Sequence, residues 1–264
     1  MHIHRARSTA VAIALLILLR TSSVQAAPDA APAPTVAEQY LLTAANDDRS
    51  RHGLTPVRAD STLRKAALFH AEQMAVRADI SHQFPGEPEL SERGSAAGVR
   101  FSLITENVAE APTSITIHNM WMHSEGHRAN LLDPDVNVVG IAIVVRQGQL
   151  YAVEDFARIV DDLPLEQQEA TVAAHIISSG LHIAPAAVIT RDQARKTCSM
   201  DTGYAGTRRP WFIMRFTAAT LNEIPSALNT RLKSGKYGQA AIGACLSTSS
   251  APFTAYNIAV LLYP

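Results

Sequence analysis

Cysteine, surplus positive charge and long apolar runs are all scarce in this 264-residue sequence, and each scarcity excludes something. Lysine and arginine (23) are balanced by aspartate and glutamate (24), giving a formal charge of −1 with histidines neutral. Nucleic acid is held mainly by basic side chains that neutralise phosphates, so the lack of a basic footprint excludes it as a partner. The longest apolar run, residues 10–19, is closed by Arg20. It is about half of the roughly 20 residues that a bilayer-spanning helix needs. Glycine-rich nucleotide-binding motifs are missing as well, which excludes the usual cytosolic cofactor chemistry.

What the N-terminus does contain is a secretion signal. Basic Arg5 and Arg7 precede the apolar run, and Val24-Gln25-Ala26 has the small-residue pattern of a peptidase site, which predicts a signal peptide over 1–26 cleaved after Ala26. Cleavage removes three arginines and no acid, taking the formal charge to −4. The mature chain is expected to be secreted or extracytoplasmic (periplasm or extracellular medium), with no stable membrane insertion. In such an oxidising compartment the two cysteines, Cys198 and Cys245, most simply form one disulfide. A two-thiolate metal site is the weaker reading, since there is no CxxC pairing and no histidine nearby.

A proline- and alanine-rich stretch over 27–34 reads as an extended spacer. Apolar residues at helical spacing predict helices over 35–51 and 61–78, the second capped by Asp60. Prolines and glycines make 81–100 a loop with at most a short helix over 87–96, and another short helix is expected over 115–122. From Val136 the pattern alternates about Gln147-Gly148-Gln149, predicting a hairpin that ends the first domain near Ile159. Asp161-Asp162-Leu163-Pro164 reads as a boundary. Beyond it, helices are expected over 165–179 and 225–233, and strands over 211–216, 239–246 and 256–263. Two domains result, 35–160 and 165–264, with no internal repeat joining them.

Groups able to bind metal or move protons concentrate between His82 and His127. His123 and His127 have the spacing of a zinc-protease helix, but the sequence between them is Ser-Glu-Gly. The glutamate is displaced by one residue, about 100° around a helix, and Gly126 weakens the helix, so that motif is rejected.

A different match is broader. Asn46-Asp47-Asp48-Arg49 before His52-Gly53-Leu54, the helix over 63–74, Ser81-His82, and Glu106-Asn107-Val108-Ala109 occur in order. They are followed by Trp121-Met122-x-Ser124-x-Gly126-His127-Arg128-x-Asn130-Leu131-Leu132 and a closing strand over 151–156. Together, over about 36–159, these segments resemble the CAP superfamily, the cysteine-rich secretory, antigen 5 and pathogenesis-related 1 group, in its bacterial form with an SCP-like domain. The resemblance implies the α/β class, a CAP-type α-β-α sandwich, here followed by a smaller α+β domain. It also implies a central cleft that, in eukaryotic members, holds two histidines and two glutamates, sometimes with zinc or another divalent cation. By position the first histidine is His82, the first glutamate Glu106 and the second histidine His127. The second glutamate falls at Ser124, a departure from the tetrad. Glu125 is adjacent but on a helix would point to another face.

His82, His127 and Glu106 are therefore the candidate catalytic or metal-binding residues, and Ser124 and Glu125 the candidate cleft residues. Two imidazoles and one carboxylate leave an open position, as a metal hydrolase would. With the fourth ligand missing, weak or adventitious binding of zinc or another divalent cation is the better reading, and no cofactor is required. The same residues can also serve as a hydrogen-bonded polar cluster fixing the cleft walls. His70 reads as a hydrogen-bonded wall residue, His118 and His123 as exposed, and Trp121, Met122, Tyr151 and Phe156 as core. The expected function is a non-catalytic extracellular binding module for a small or lipid-like ligand, a divalent cation or another protein. The alternative is an extracellular hydrolase, a peptidase or an envelope-acting enzyme, against which stands the lack of a nucleophile elbow or any group assigned to orient a histidine.

Overall fold

A computed structural model describes residues 33–246 and 253–264; the signal-peptide segment and most of the spacer lie outside the described residues. The first helix, α1 (Val36–Arg51), starts at Thr35 in a capping box, each of Thr35 and Glu38 accepting the other's backbone N–H through its side chain. Strand β1 (Arg58–Ala59) is followed at once by α2 (Ser61–Arg77), where Asp60 accepts from the Thr62 and Leu63 amides. Then come α3 (Leu90–Ala96), β2 (Phe101–Ala111), α4 (Ser114–His123), α5 (Glu125–Leu131), β3 (Val138–Arg146) and β4 (Gln149–Ile159). The β3–β4 turn, Gln147-Gly148, has both φ values positive (50° and 79°), the backbone of a two-residue hairpin loop whose twist matches the flanking strands.

These strands form a sheet in the order β1-β3-β4-β2, with β1 parallel to β3 and the other pairs antiparallel. Leu41, Ala45, Ile117, Trp121 and Leu131 pack on one face with Ile141, Ala152 and Phe156. Ala67, Ala71 and Met74 of α2 pack on the other with Val108, Ala142 and Val153. The α-β-α sandwich follows from this alternation. Where α2 crosses β3 the residue is Gly140, because a Cβ there would overlap the Leu63 carbonyl carbon and lie 2.5 Å from the Arg64 nitrogen.

The remainder contains α6 (Leu165–Ser178), β5 (His182–Ile183), α7 (Arg191–Cys198), β6 (Phe212–Ala218), α8 (Ser226–Leu232), β7 (Gln239–Cys245) and β8 (Tyr256–Tyr263). Its sheet runs β5-β7-β8-β6, again with one parallel pair, β5 with β7, and antiparallel pairs elsewhere. Helices α6 and α8 cover one face through Val172, Ile176, Leu228 and Leu232, and α7 covers the other through Ala194. Although no repeat is visible in the sequence, the second half thus repeats the strand order and directions of the first. Even the glycine recurs: a Cβ at Gly243 of β7 would overlap the Ala194 carbonyl of α7.

Both halves also close the same sheet edge in the same way. Strand β1 pairs with β3 only at Val138 and Val139, and beyond it the Ile143 N–H of β3 donates to Glu38 Oε1 at 3.0 Å. Arg64 of α2 holds that carboxylate at 2.9 and 3.0 Å. In the second half the Ala244 N–H donates to Glu169 Oε1 at 3.1 Å, and Arg195 of α7 holds the carboxylate at 2.6 and 3.0 Å. A carboxylate thus stands in for the missing edge strand and ties the helix on one face to the helix on the other.

The expected disulfide is present, joining the end of α7 (Cys198) to the end of β7 (Cys245) across a separation of 47 residues. Closing a loop of that length stabilises by about 4 kcal/mol on chain-entropy grounds. Gly140→Ala is expected to destabilise the chain by about 3 kcal/mol in urea denaturation, since neither the helix backbone nor the central strand can retreat.

Candidate functional site

The site is built across the outer edge of β2, because two adjacent polar residues there face opposite layers. Glu106 pairs across the sheet with Asp155, and Asn107 with Glu154. Glu106 meets side chains from the α2 and α3 layer. Asn107 reaches the α5 layer, its Nδ2 donating to the His127 carbonyl at 3.1 Å. Asn130 completes the link by donating to the Glu106 carbonyl (3.1 Å) and to Asn107 Oδ1 (2.9 Å). Arg49, wholly buried, anchors the far end of α5 by donating to the carbonyls of Leu131 and Asp133.

His82 sits on the loop after α2, and a buried network fixes that loop. His70 Nδ1 contacts Glu87 Oε1 at 2.6 Å and its Nε2 donates to the Ser81 carbonyl at 2.7 Å, while the Phe84 amide donates to Glu87 Oε2. Arg93 of α3 donates to the carbonyls of His82 (3.3 Å) and Pro88 (3.0 Å), and to Glu106 Oε2 at 2.5 Å. Glu106 Oε1 accepts from His82 Nδ1 at 2.9 Å. A carboxylate only accepts, so Nδ1 of His82 carries the proton of that bond, and Nε2, on the far side of the ring, is an acceptor while the ring is neutral and a donor once it is protonated. The rings of His82 and His127 face each other with centroids 6.5 Å apart.

The electrostatics separate the two histidines. The hydrogen bond and charge of Glu106 raise the His82 pKa above its ordinary 6.5, against opposing contributions from burial and Arg93. Burial, with a smaller contribution from the His82 charge, lowers that of His127. Behind Glu106, burial and the Glu106 charge push the Asp155 carboxyl well up, and burial alone does the same to Glu154.

The structure therefore brings His82, Glu106 and His127 together, and it corrects other expectations. Ser124, half-buried, lies at a break between α4 and α5 (φ −101°, ψ 124°), so His123 and His127 belong to different helices. Glu125 is exposed at the start of α5, beside a groove lined by Met122, His123 and Arg128. His118, expected to be exposed, is buried with Nε2 2.8 Å from Asp48 Oδ2, because α4 packs its His118 face onto α1. Met122, expected in the core, is only partly buried at its margin. His70 is the hydrogen-bonded wall residue that its place on the apolar stripe suggests. Arg93, Glu87 and Asp155 were not singled out in the sequence; only Glu154-Asp155, two adjacent acids inside an apolar strand, left a visible signal.

The donor set does not fit a resident divalent cation. Both oxygens of Glu106 are engaged, by His82 and by Arg93, and the His82 nitrogen nearest the carboxylate is spent on it. Among the described residues no group of three or more histidine, cysteine, aspartate or glutamate side chains is placed to hold a metal. Glu106 instead orients His82 and raises its pKa. Stabilisation from a raised histidine pKa is complete below 6.5 and fades as the pH rises through the folded-state value. Proton NMR of the histidines should show His82 titrating above 6.5 and His127 below it, and Glu106→Gln should bring His82 down. An unmoved His82 midpoint in that variant would contradict the assignment.

The sequence model of the cysteine-rich secretory protein family, CAP, matches residues 42–156. The Bacillus subtilis protein YkwD is 29% identical over 126 residues, 47% of this chain and 48% of that protein. The Bacillus subtilis membrane protein YlbC is 29% identical over 113 residues, 41% of this chain and 32% of its own length. The matched region thus spans less than half of either curated relative. An extracellular SCP-domain protein from Bacillus anthracis is 28% identical in its crystal structure, with a TM-score of 0.43, covering 46% of this chain and 40% of that one. Residues 42–156 thus form a CAP domain, similar over that stretch to the cysteine-rich secretory protein family.

Proposed function

We propose that the chain is an extracytoplasmic, non-catalytic binding module, in which the paired imidazoles of His82 and His127 grip a hydrogen-bond-accepting group on a small or lipid-like ligand. Export is supported by the N-terminal signal pattern and by the Cys198–Cys245 disulfide, which belongs to an oxidising compartment. The observation that carries the binding reading is the engagement of Glu106. The carboxylate bonded to His82 is already held by Arg93 at 2.5 Å, so it is not free to take a proton from substrate as a general base does. What remains for a ligand is the outward nitrogen of His82, on a side chain 62% exposed, and the His127 ring facing it. With His82 the more readily protonated of the two, it is the first of the pair to become a donor at its second nitrogen as the pH falls.

One observation favours the hydrolase reading instead. A histidine oriented by a buried carboxylate is the dyad from which nucleophilic sites are built. The missing component is the nucleophile, since the Ser124 side chain makes no hydrogen bond to either imidazole among the described residues.

Mass spectrometry of organic extracts from the purified protein, beside assays on peptide, ester and cell-envelope substrates, separates the two. The binding reading expects a co-purifying species that is lost by roughly tenfold or more in both His82→Ala and His127→Ala, with no turnover of any substrate. Turnover abolished by Glu106→Gln would establish the hydrolase.

A further inference from the structure

The near-neutral total charge of the chain conceals an uneven distribution. Residues 202–264 hold six basic side chains, Arg208, Arg209, Arg215, Arg231, Lys233 and Lys236, against a single acid, Glu223. Every other acid of the chain precedes them. The fold then gathers five of the six at one end of the second sheet. Phe212 of β6 pairs with Leu262, and Gln239 of β7 with Tyr263, so β6 and β7 both begin at that end. The segment entering β6 brings Arg208, Arg209 and Trp211 there; the last turn of α8 and the turn into β7 bring Arg231, Lys233 and Lys236. Ring contacts tie the two groups together. The Arg208 guanidinium lies 5.4 Å from the Tyr263 ring centroid and that of Arg231 5.1 Å from Phe212, whose ring is 6.5 Å from Tyr237. All five basic residues are exposed, and Trp211, between Arg209 and Phe212, is 65% exposed. Glu223 follows the opposite end of β6, where Ala218 pairs with Tyr256. Pro264, the last residue of the sequence, lies beside Gly238, and a terminal carboxylate there offsets one charge of the five.

We infer that this end of the second half docks on an anionic phospholipid surface, the five basic side chains meeting headgroup phosphates and Trp211 seated between headgroups and acyl chains. Charge complementarity names the anion, and the indole names the surface. Long basic side chains keep their charge at the headgroups while their stems lie against apolar material, and tryptophan settles at the same depth. A lipid surface rewards both; a soluble polyanion rewards only the charge. Among the described residues no helix is long and apolar enough to cross a membrane, so the contact is peripheral and sensitive to salt. It is also independent of the ligand cleft, since His82, Glu106 and His127 all belong to the first half.

Flotation of the purified protein with lipid vesicles tests this. The protein is expected to float with vesicles of equal parts phosphatidylcholine and phosphatidylglycerol, and not with phosphatidylcholine alone. Binding should be lost at ~1 M salt, where charges are screened within about 3 Å. The chain has two tryptophans and Trp121 is buried, so a blue shift of fluorescence on the anionic vesicles reports Trp211. A basic side chain close to such a surface is worth about fivefold in affinity, so changing Lys233→Glu and Lys236→Glu together should weaken binding at least tenfold. Both positions are exposed, and the thermal melt should not move. Arg5 and Arg7 are common to both proteins and cannot produce the difference. His82→Ala should bind as the wild type does. A wild-type chain that does not float, or a double variant that floats equally well, overturns the inference. So does binding to dextran sulfate as tight as to the vesicles with no blue shift on them, which would assign the surface to a soluble polyanion.

Discussion

The Glu106 carboxylate, buried on the cleft edge of a sheet, is the constraint from which the rest of the site follows. A buried charge left alone costs several kcal/mol, and breaking a buried pair costs about 3–5 kcal/mol, so the fold must bring a cation to it. Arg93 is that cation, carried on a seven-residue helix between the His82 loop and β2. The same guanidinium gathers the carbonyls of His82 and Pro88, so neutralising Glu106 also sets the path of the loop. His70 and Glu87 complete that loop from beneath. His82 is then presented at a fixed angle, with its proton on the Glu106 side and a raised pKa. The cleft is an ordered polar cluster in which Glu106 acts through His82.

The second half shows the same frame without this constraint. Across the first sheet, the row through Gly140 continues to Asp155 and Glu106. Across the second, the row through Gly243 continues to Ala259 and Arg215. Where the first row ends in a buried acid, the second ends in an arginine that donates to the Thr197 and Gly203 carbonyls, and among the described residues no histidine pair gathers there. The architecture needs only the helix–strand glycine contact, the apolar alternation and an acid–arginine pair closing the edge. The cleft is an addition to that frame, which is why a fold repeated in space leaves no repeat in the sequence.

Legibility in the sequence followed the same division. The two long helices of the first half and the β3–β4 hairpin were readable because one face of each is apolar and their caps, Thr35, Asp60 and Gly148, are the residue types the backbone needs there. Strand β2 was not readable. Its centre, Thr105-Glu106-Asn107, puts polar residues on both faces, so the alternation that marks a strand is broken where the site is built. Helix α7 was missed because it buries only Ala194 and Thr197 along a polar sequence. His82, Glu106 and His127 were found through the order and spacing of the family segments. Arg93 was not, since nothing local to a short helix shows that its arginine points inward to a strand that follows it. The break at Ser124 was likewise hidden, because a continuous helix and two helices meeting at a serine share the same spacing of apolar residues.

Calorimetric titration of zinc into the purified protein at neutral pH tests whether Glu106 is committed to Arg93 and His82. The account predicts no tight stoichiometric binding, and none gained or lost on changing Glu106 to Gln. One tightly held zinc per chain, lost in Glu106→Gln, would contradict it.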